Sequence, residues 1–536
     1  MKKTIAILLA LAMMLSMAAC GGGASSSAAA TSGSTAATQG TPAAPAAFDG
    51  CLNIGIPGDP ADLSPFSTMS VGRMYTLESI YEYLAIYEEK DGAFVGQLAK
   101  DIDVSDDALT VVVTLYDYIK DAAGNAITAD DVVFCYNKAV EANCSISLGY
   151  MDSVEKVDDY TVQFNLNNQV VDGWQGVLSG VPIISQTAYE ASDDGFLMKP
   201  VTTSAYQVTE FITGSTLKLQ RRDDYWQTDE SLCPIKHNVE AIQFDVIMDS
   251  AQMAIALETG TIEIAEGISS TEVERFMEGG EDADNFTVFN TLDNRTYCLL
   301  FNCNDDVGVF AGKKELRQAI AYAIDVPGII TAILNGGATQ QTTWGSYTAD
   351  DFDPSWVDSY YDYNLDKAKE LMKEAGVAEG ELTLRMACTN NKVLSSSLEL
   401  IQAYLMQIGI NTEINVVDAG LFDSIKYDKD EWDLLLDTIG GKNIALLSKS
   451  MNSVDKSYLN VCFVNDPKMQ SMAETILMTP THTAENVKEW VEYMNEQMYA
   501  YGMFNVFSYV AASNSIESIT WTSRACVYPG DVVIAG

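Results

Sequence analysis

Histidine and basic residues are what this chain has least of. Its 536 residues hold two histidines, His237 and His482, and 31 lysines and arginines against 75 aspartates and glutamates, a net charge of −44 at pH 7. Such a surface repels phosphate backbones and anionic lipid headgroups, which excludes a role in tracking nucleic acid. The carboxylates form no single block, so they read either as solvated faces or as a field that draws cationic solutes. With two histidines and no C-x-x-C, a zinc cluster is not expected, and no cofactor is. G-x-S-x-G, H-E-x-x-H and G-x-x-x-x-G-K-[ST] are missing as well. Asn302, Asn304 and Asp306 begin like a calcium loop, but Gly308 falls one position late and Lys313 stands where the closing glutamate belongs. Besides Cys20 there are nine cysteines, an odd number. Cys298 and Cys303, five apart on an expected strand, face opposite sides and do not suit a disulfide.

What is present starts at the amino terminus. Lys2 and Lys3 are the only charges before Asp49. The apolar run Ile5–Leu15 follows, shorter than the roughly 20 residues of a membrane span. Then come Ala18-Ala19-Cys20 and three glycines. A basic start, a short apolar stretch and a small-residue cleavage site define a secretory signal. The order resembles the bacterial lipoprotein signal, with Met17 where leucine is usual, and implies a lipid on Cys20. An ordinary cleaved signal with a chance cysteine is the alternative. Residues 21–47 contain only Gly, Ala, Ser, Thr, Gln, Pro and no charge or aromatic, a flexible tether.

The body beyond residue 48 is too long for one ordinary core, so two or three domains are expected. No later segment approaches the run of apolar residues a membrane helix needs. Strands are expected at Leu52–Ile56, Leu109–Leu115, Val154–Asp158, Thr161–Leu166 and Leu217–Gln220. Helices are expected at Arg73–Tyr87, Thr128–Lys138, Ala311–Ala323 and Asn364–Glu374, with Asp130 and Asp131 in the first turn after the Thr128 cap. From residue 382 the pattern is strand, helix, strand, helix, strand: Leu382–Met386, Leu394–Ile408, Thr412–Val417, Leu421–Tyr427, Trp432–Leu436. This order implies a parallel sheet covered on both faces. Ligands gather beyond the carboxyl ends of such strands, which singles out the loop Asp437–Asn443.

Four blocks carry a family resemblance: Leu52 to Pro60 followed by Leu63-Ser64-Pro65; Val104 to Asp107 with Ile127 to Phe134; Asp223-Asp224-Tyr225-Trp226; and Arg317 to Asp325. In this order the chain resembles the large bacterial solute-binding proteins of family 5, which serve oligopeptides, dipeptides and nickel. The resemblance implies an α/β, two-lobed periplasmic-binding-protein-like fold of type II in its large three-subdomain form, with mixed sheets, flanking helices and a hinged cleft. The implied organisation is a signal peptide at 1–19, an anchor and linker at 20–47, and a first lobe built from 48–75, an accessory subdomain at 76–200, and 201–295. A second lobe follows at 296–504, and 505–536 returns to the first lobe. The implied function is capture of a small, peptide-like solute for an ABC permease, by a monomeric lipoprotein on the outer face of the cell membrane. A surface-anchored hydrolase and a sensing or scaffold lipoprotein are the alternatives.

The resemblance also implies where the solute binds. Met69, Ser70 and Arg73 fall in a first-lobe loop facing the cleft. Arg295 falls just before the second-lobe strand, Trp344 in the loop after the Gly336-Gly337 turn and Tyr509 on the return segment, although Arg295 also suits a local pair with Asp293 and Trp344 the cover of a core edge. In peptide-binding members the specificity loop carries a tryptophan and then an aspartate for the peptide ammonium. Matching Asp433 to Leu436 with that strand puts Ile439 and Lys442 at those places, with Asn443 next. A cation there repels an ammonium, and Asp437 is the substitute. Tyr225 and Trp226 suit a core corner as well as a ligand stack, and Arg317 and Asp325 could pair locally. The amino-terminal expectation has its own test: in the native host, Cys20→Ala should shed the protein into the soluble fraction and abolish incorporation of labelled fatty acid.

Overall fold

The computed structural model describes residues 50–87, 92–341, 345, 348–356, 361–451 and 460–535. Cys20, the 21–47 tether and Trp344 therefore lie outside the described residues. Alternating apolar residues and short polar turns build one large mixed sheet. Its path is formed by β1 (Cys51–Ile56), β2 (Tyr206–Ile212), β3 (Thr216–Arg221), β4 (Ala241–Val246), β5 (Ile264–Glu266), β6 (Phe286–Phe301), β7 (Thr383–Thr389), β8 (Asn411–Val417), β9 (Leu434–Gly440) and β10 (Ala500–Ser513). The spatial order is β8-β7-β9-β6-β10-β5-β1-β4-β3-β2, and Ala338–Gln340 pairs with β10 off this path. β1 runs parallel to β4 and β5, and β7 runs parallel to β8 and β9. The antiparallel pair β6 and β10 joins these two parallel groups.

That pair organises the molecule. Phe286–Leu292 of β6 pairs with Phe507–Ser513 of β10, and Thr296–Leu300 pairs with Ala500–Asn505, with a register shift between Leu292 and Thr296. Apolar side chains on the two sides of the shift go to separate cores. Buried residues from Tyr297 to Phe504 form one cluster. Leu52 to Ile264 together with Val510, Val527 and Val532 contribute the second, and Met253, Leu257, Phe276, Phe286 and Tyr509 belong to a smaller third. The result is two lobes crossed by two continuous strands. Residues 99–166 add a separate four-stranded antiparallel sheet to the first lobe.

Local signals account for many of the boundaries. Asp131 reaches back to accept from the Thr128 backbone N–H at 2.8 Å and its hydroxyl at 2.9 Å, opening the helix Ala129–Ala142. Asn364 accepts from Lys367 N to start Leu365–Glu374, and Gly376 leaves it at φ +70°. The alternating segment from residue 382 folds as expected, with helices Lys392–Met406 and Ala419–Lys426 between parallel β7, β8 and β9.

Four expectations need correction. The helix expected over Arg73–Tyr87 spans only Val71–Ile80. Tyr81, Glu82, Tyr83 and Leu84 are all buried, which one face of a helix cannot provide, and tertiary bonds hold them extended. Tyr81 Oη donates to Leu63 O at 2.7 Å, and Tyr83 N donates to Gln97 Oε1 at 2.7 Å. The loop expected from Asp437 is strand through Gly440, because β9 keeps pairing with β6 as far as Arg295. The helix expected from Ala311 begins at Lys314. Arg317 and Asp325 do not pair: Arg317 donates to the Phe310 and Gln497 carbonyls, and Asp325 caps the helix Val326–Leu334.

Glu82 shows why the helix stops. It is 3% exposed and accepts from Tyr225 Oη at 2.6 Å and Trp226 Nε1 at 2.9 Å, so those two aromatics anchor a corner of the first lobe. Burial raises its carboxyl above the usual range, against the pull of those bonds. Glu82→Ala would strand a hydroxyl and an indole N–H in a dry site. It should cost about 2–4 kcal/mol of unfolding free energy in urea titration, and a variant as stable as the parent would show that this corner anchors nothing.

Candidate functional site

A cavity of about 470 Å³ lies where the lobes, the crossing strands and the carboxyl-terminal segment meet. The first lobe supplies Glu78, Tyr83 and Tyr87, the register shift in β6 supplies Leu292 and Asn294, and the second lobe supplies Asp350 and Lys442. Trp521 through Ala525 and Tyr528 close the remaining wall. Two side chains of each charge therefore line a space rich in aromatic rings: Glu78 and Asp350, Arg524 and Lys442.

Glu78 lies on the helix Val71–Ile80, and its Oε1 is 3.4 Å from Arg524 Nη1. Its other oxygen, Oε2, is buried, and the Tyr528 hydroxyl lies within reach of the carboxylate. The Arg524 side chain keeps 34% of its surface open. Burial pushes the Tyr83 phenol up to about 12 and raises Tyr87 and Tyr528 well beyond their ordinary values, so all three remain neutral hydrogen-bonding groups. On the opposite wall, Lys442 Nζ is 3.1 Å from Asp350, 3.9 Å from Asp172 and 3.4 Å from the centre of the Tyr87 ring. Asn443 caps the helix Ile444–Leu447 and donates to Asp172 Oδ2 at 2.9 Å. Lys442 and Asn443 thus bind across from the second lobe to the first.

The other residues singled out from sequence are placed as follows. Met69 is exposed, and Ser70 precedes the helix Val71–Ile80 with its hydroxyl buried and unpartnered among the described residues. Arg73 is 2% exposed, and its guanidinium donates to Asp62 and to the Ser64 and Ser67 carbonyls, so it braces the loop it was expected to project from. Arg295 pairs with Asp293 beside the cavity residue Asn294. Asp437 is 9% exposed and pairs with Lys426, inside the second lobe. Tyr509 packs in the third core cluster. Of the expected residues, Lys442 alone is among those that line this cavity in the described structure. Glu78, Asp350, Arg524 and Tyr528 went unnoticed in the sequence, where no motif marks them.

The carboxyl-terminal wall is held from behind. Glu266, at the end of β5 and fully buried, accepts from Val527 N, and burial pushes its carboxyl up to about 8. A carboxyl raised in the folded state supports the fold most fully below its unfolded pKa, near 4.3, and loses that support as pH rises through 8. Stability should therefore fall between those values relative to Glu266→Gln, by roughly 4 kcal/mol at the upper end. Parallel stability–pH curves for the two proteins would exclude this.

Comparison with known proteins places this geometry. The profile of the bacterial extracellular solute-binding proteins, family 5 (middle region), matches residues 93–452. Di/tripeptide-binding protein 1 of Pseudomonas aeruginosa is 25% identical over 417 residues, covering 70% of this chain and 74% of that one. The dipeptide-binding protein of the same species is 24% identical over 445 residues, covering 72% and 80%. Among solved structures, NikA from Brucella suis in complex with Fe(III)-EDTA superposes with a TM-score of 0.77 at 20% identity, covering 90% of this chain and all of that one. The oligopeptide-binding protein AppA from Bacillus subtilis, in complex with a nonapeptide, gives 0.72 at 18%, covering 91% and 99%. At such identities the superpositions show the fold, and the profile match over most of the chain shows the family. The chain belongs to the bacterial extracellular solute-binding proteins of family 5, the exported receptors that collect solutes for ABC importers.

Proposed function

We propose that this receptor takes a small zwitterionic peptide into the cavity between its lobes and presents it to an ABC permease while tethered to the membrane through a lipid on Cys20. The observation that carries this reading is the cavity wall itself, with Glu78 and Asp350 available to an ammonium and Arg524 and Lys442 to a carboxylate. A volume of about 470 Å³ falls in the range of small-molecule sites and suits a short peptide better than a long one. The Pseudomonas aeruginosa relatives, a di/tripeptide-binding protein and a dipeptide-binding protein, agree with that size. In this reading the lobes divide at 295/296 and 504/505, beside the register shift in β6, and the chain acts as a monomer.

The ligand contacts we assign to the cavity are Glu78, Asp350, Arg524 and Lys442, with Tyr83, Tyr87 and Tyr528 as neutral partners. A solute favours closure only by binding the closed form better than the open one. A zwitterion that reaches both lobes meets that condition, because its charges contact groups that come together only on closure. The family is one of receptors and not of enzymes, so the solute leaves unchanged.

The reading is tested by thermal unfolding of the lipid-free chain with a panel of dipeptides and tripeptides. A matched peptide at about a hundred times its Kd should add about 2.7 kcal/mol of stability and be recovered intact by mass spectrometry. Acetylation or amidation should each remove most of the shift, and Arg524→Met should remove it altogether. Equal shifts from free and doubly blocked peptides would overturn the zwitterion reading, and cleaved peptide would reinstate the hydrolase.

A further inference from the structure

A second cavity, of about 420 Å³, opens in the first lobe and is lined by Arg221, Asp223, Gln227, Glu230, Lys236 and His237 among others. It has no lining residue in common with the cavity between the lobes. Two buried polar atoms around it are left unpaired among the described residues: Gln227 Nε2, and the ring nitrogen of His237 that the Lys236 backbone does not take. Leaving such a group dry and unpaired costs about 1–3 kcal/mol, so two beside one cavity call for an occupant.

The chemistry of that occupant follows from the groups around it. Gln227 is 5% exposed, and its Oε1 accepts from Asp229 N at 3.2 Å and Tyr118 Oη at 3.4 Å. Accepting from a backbone N–H fixes the amide's orientation, so the unpaired atom is a donor. The His237 ring stands edge-on to Tyr206 and Tyr225. Burial, reinforced by the charges of Arg221 and Lys236, pushes its imidazole down to about 4. It is neutral at physiological pH, with its N–H turned to the Lys236 backbone and its other nitrogen bare. Arg221 and Lys236 are each tied to carbonyls by part of their hydrogens, Arg221 to His237 O at 2.7 Å and Lys236 to Glu230 O at 2.7 Å, and both line the cavity together with the carboxylates Asp223 and Glu230. The wall thus offers donors with positive charge and an acceptor with negative charge.

We propose that this cavity is a second ligand site, for a small zwitterion of the α-amino-acid class, whose carboxylate accepts from Gln227 and Arg221 and whose ammonium donates to the bare ring nitrogen of His237. A primary amine alone would leave Gln227 unpaired, and a carboxylate alone would leave the imidazole nitrogen bare. The site has a physical neighbour in the solute cavity. A chamber of about 20 Å³, room for one water, is lined on one side by Ile235 and His237 and on the other by Glu78 and Tyr528. Those last two residues also line the cavity between the lobes.

The chain has two histidines, so isotope labelling of the histidine rings gives two sets of NMR signals, assigned by a His482→Gln variant. Titrating L-glutamine and L-alanine into the lipid-free chain should shift the His237 signals saturably and leave those of His482 in place. Sodium acetate and methylammonium chloride at matched concentration should each bind at least about tenfold more weakly, the cost of one unmade hydrogen bond to a charged group. Gln227→Met and the exposed Lys236→Met should weaken the response by a similar factor while the peptide-induced thermal shift persists, which separates this site from the one between the lobes. Still signals of His237 with both amino acids would overturn the proposal, as would an equal response to acetate. A response untouched by both variants would place the ligand in the other cavity and overturn it equally.

Discussion

Both lobes hang on the hydrogen-bonded pairing of β6 with β10, and the weakest point of that pairing sets what the receptor can do. Two continuous strands cannot part without losing a ladder of backbone bonds, so relative motion concentrates where the ladder is already interrupted. The interruption between Leu292 and Thr296 is secured by side chains: buried Asn505 donates to the carbonyls of Asp293 and Arg295, and Asp293 clamps the Arg295 guanidinium. Two carbonyls of the bulge are therefore satisfied without help from the β10 backbone. Leu292 and Asn294 also line the cavity, so the interrupted stretch of the ladder and the cavity share residues.

Closure draws on a second set of contacts. Lys442 over Tyr87, Lys449 over Tyr150 and Asn443 on Asp172 all project from one stretch of the second lobe onto the first. Backbone bonds from Val171 to Leu477 and from Thr479 to Gln169 lie alongside. A cation over an aromatic face contributes about 0.5–2 kcal/mol depending on solvation. Together these contacts favour closing of the lobes, and a solute adds its own preference for the closed form to theirs. Lys442 thus has a partner of its own in the first lobe.

How much could be read beforehand depended on the reach of each signal. The β1 strand, the Thr128–Asp131 cap and the strand–helix alternation from residue 382 rest on neighbours within a few positions, and the sequence states them directly. The end of the helix at Ile80 rests on Leu63, Gln97, Tyr225 and Trp226, which no local pattern announces. Arg73 and Asp437 were expected to face the cleft because of where they fall in the chain. Each is consumed by a counter-ion, Asp62 or Lys426, that packing alone brings into range. The cavity wall is the extreme case, since Glu78 and Arg524 lie 446 positions apart. Family position points to Lys442 and not to the residues across the cavity from it.

The nine described cysteines give the fold a property that concerns time more than shape. Among the described residues none forms a disulfide, and seven of the nine are buried. Burial pushes Cys303 and Cys388 up to about 11 and Cys135 up to about 12, and raises Cys298, Cys462 and Cys526 as well. A thiol held that far from its thiolate neither attacks nor is readily oxidised. Packing therefore does for this exported chain what disulfides do for many others, but only once packing is complete. Between leaving the membrane and closing its two cores, the chain carries its sulfur unprotected, so an oxidising exterior would penalise slow folding before it penalised instability.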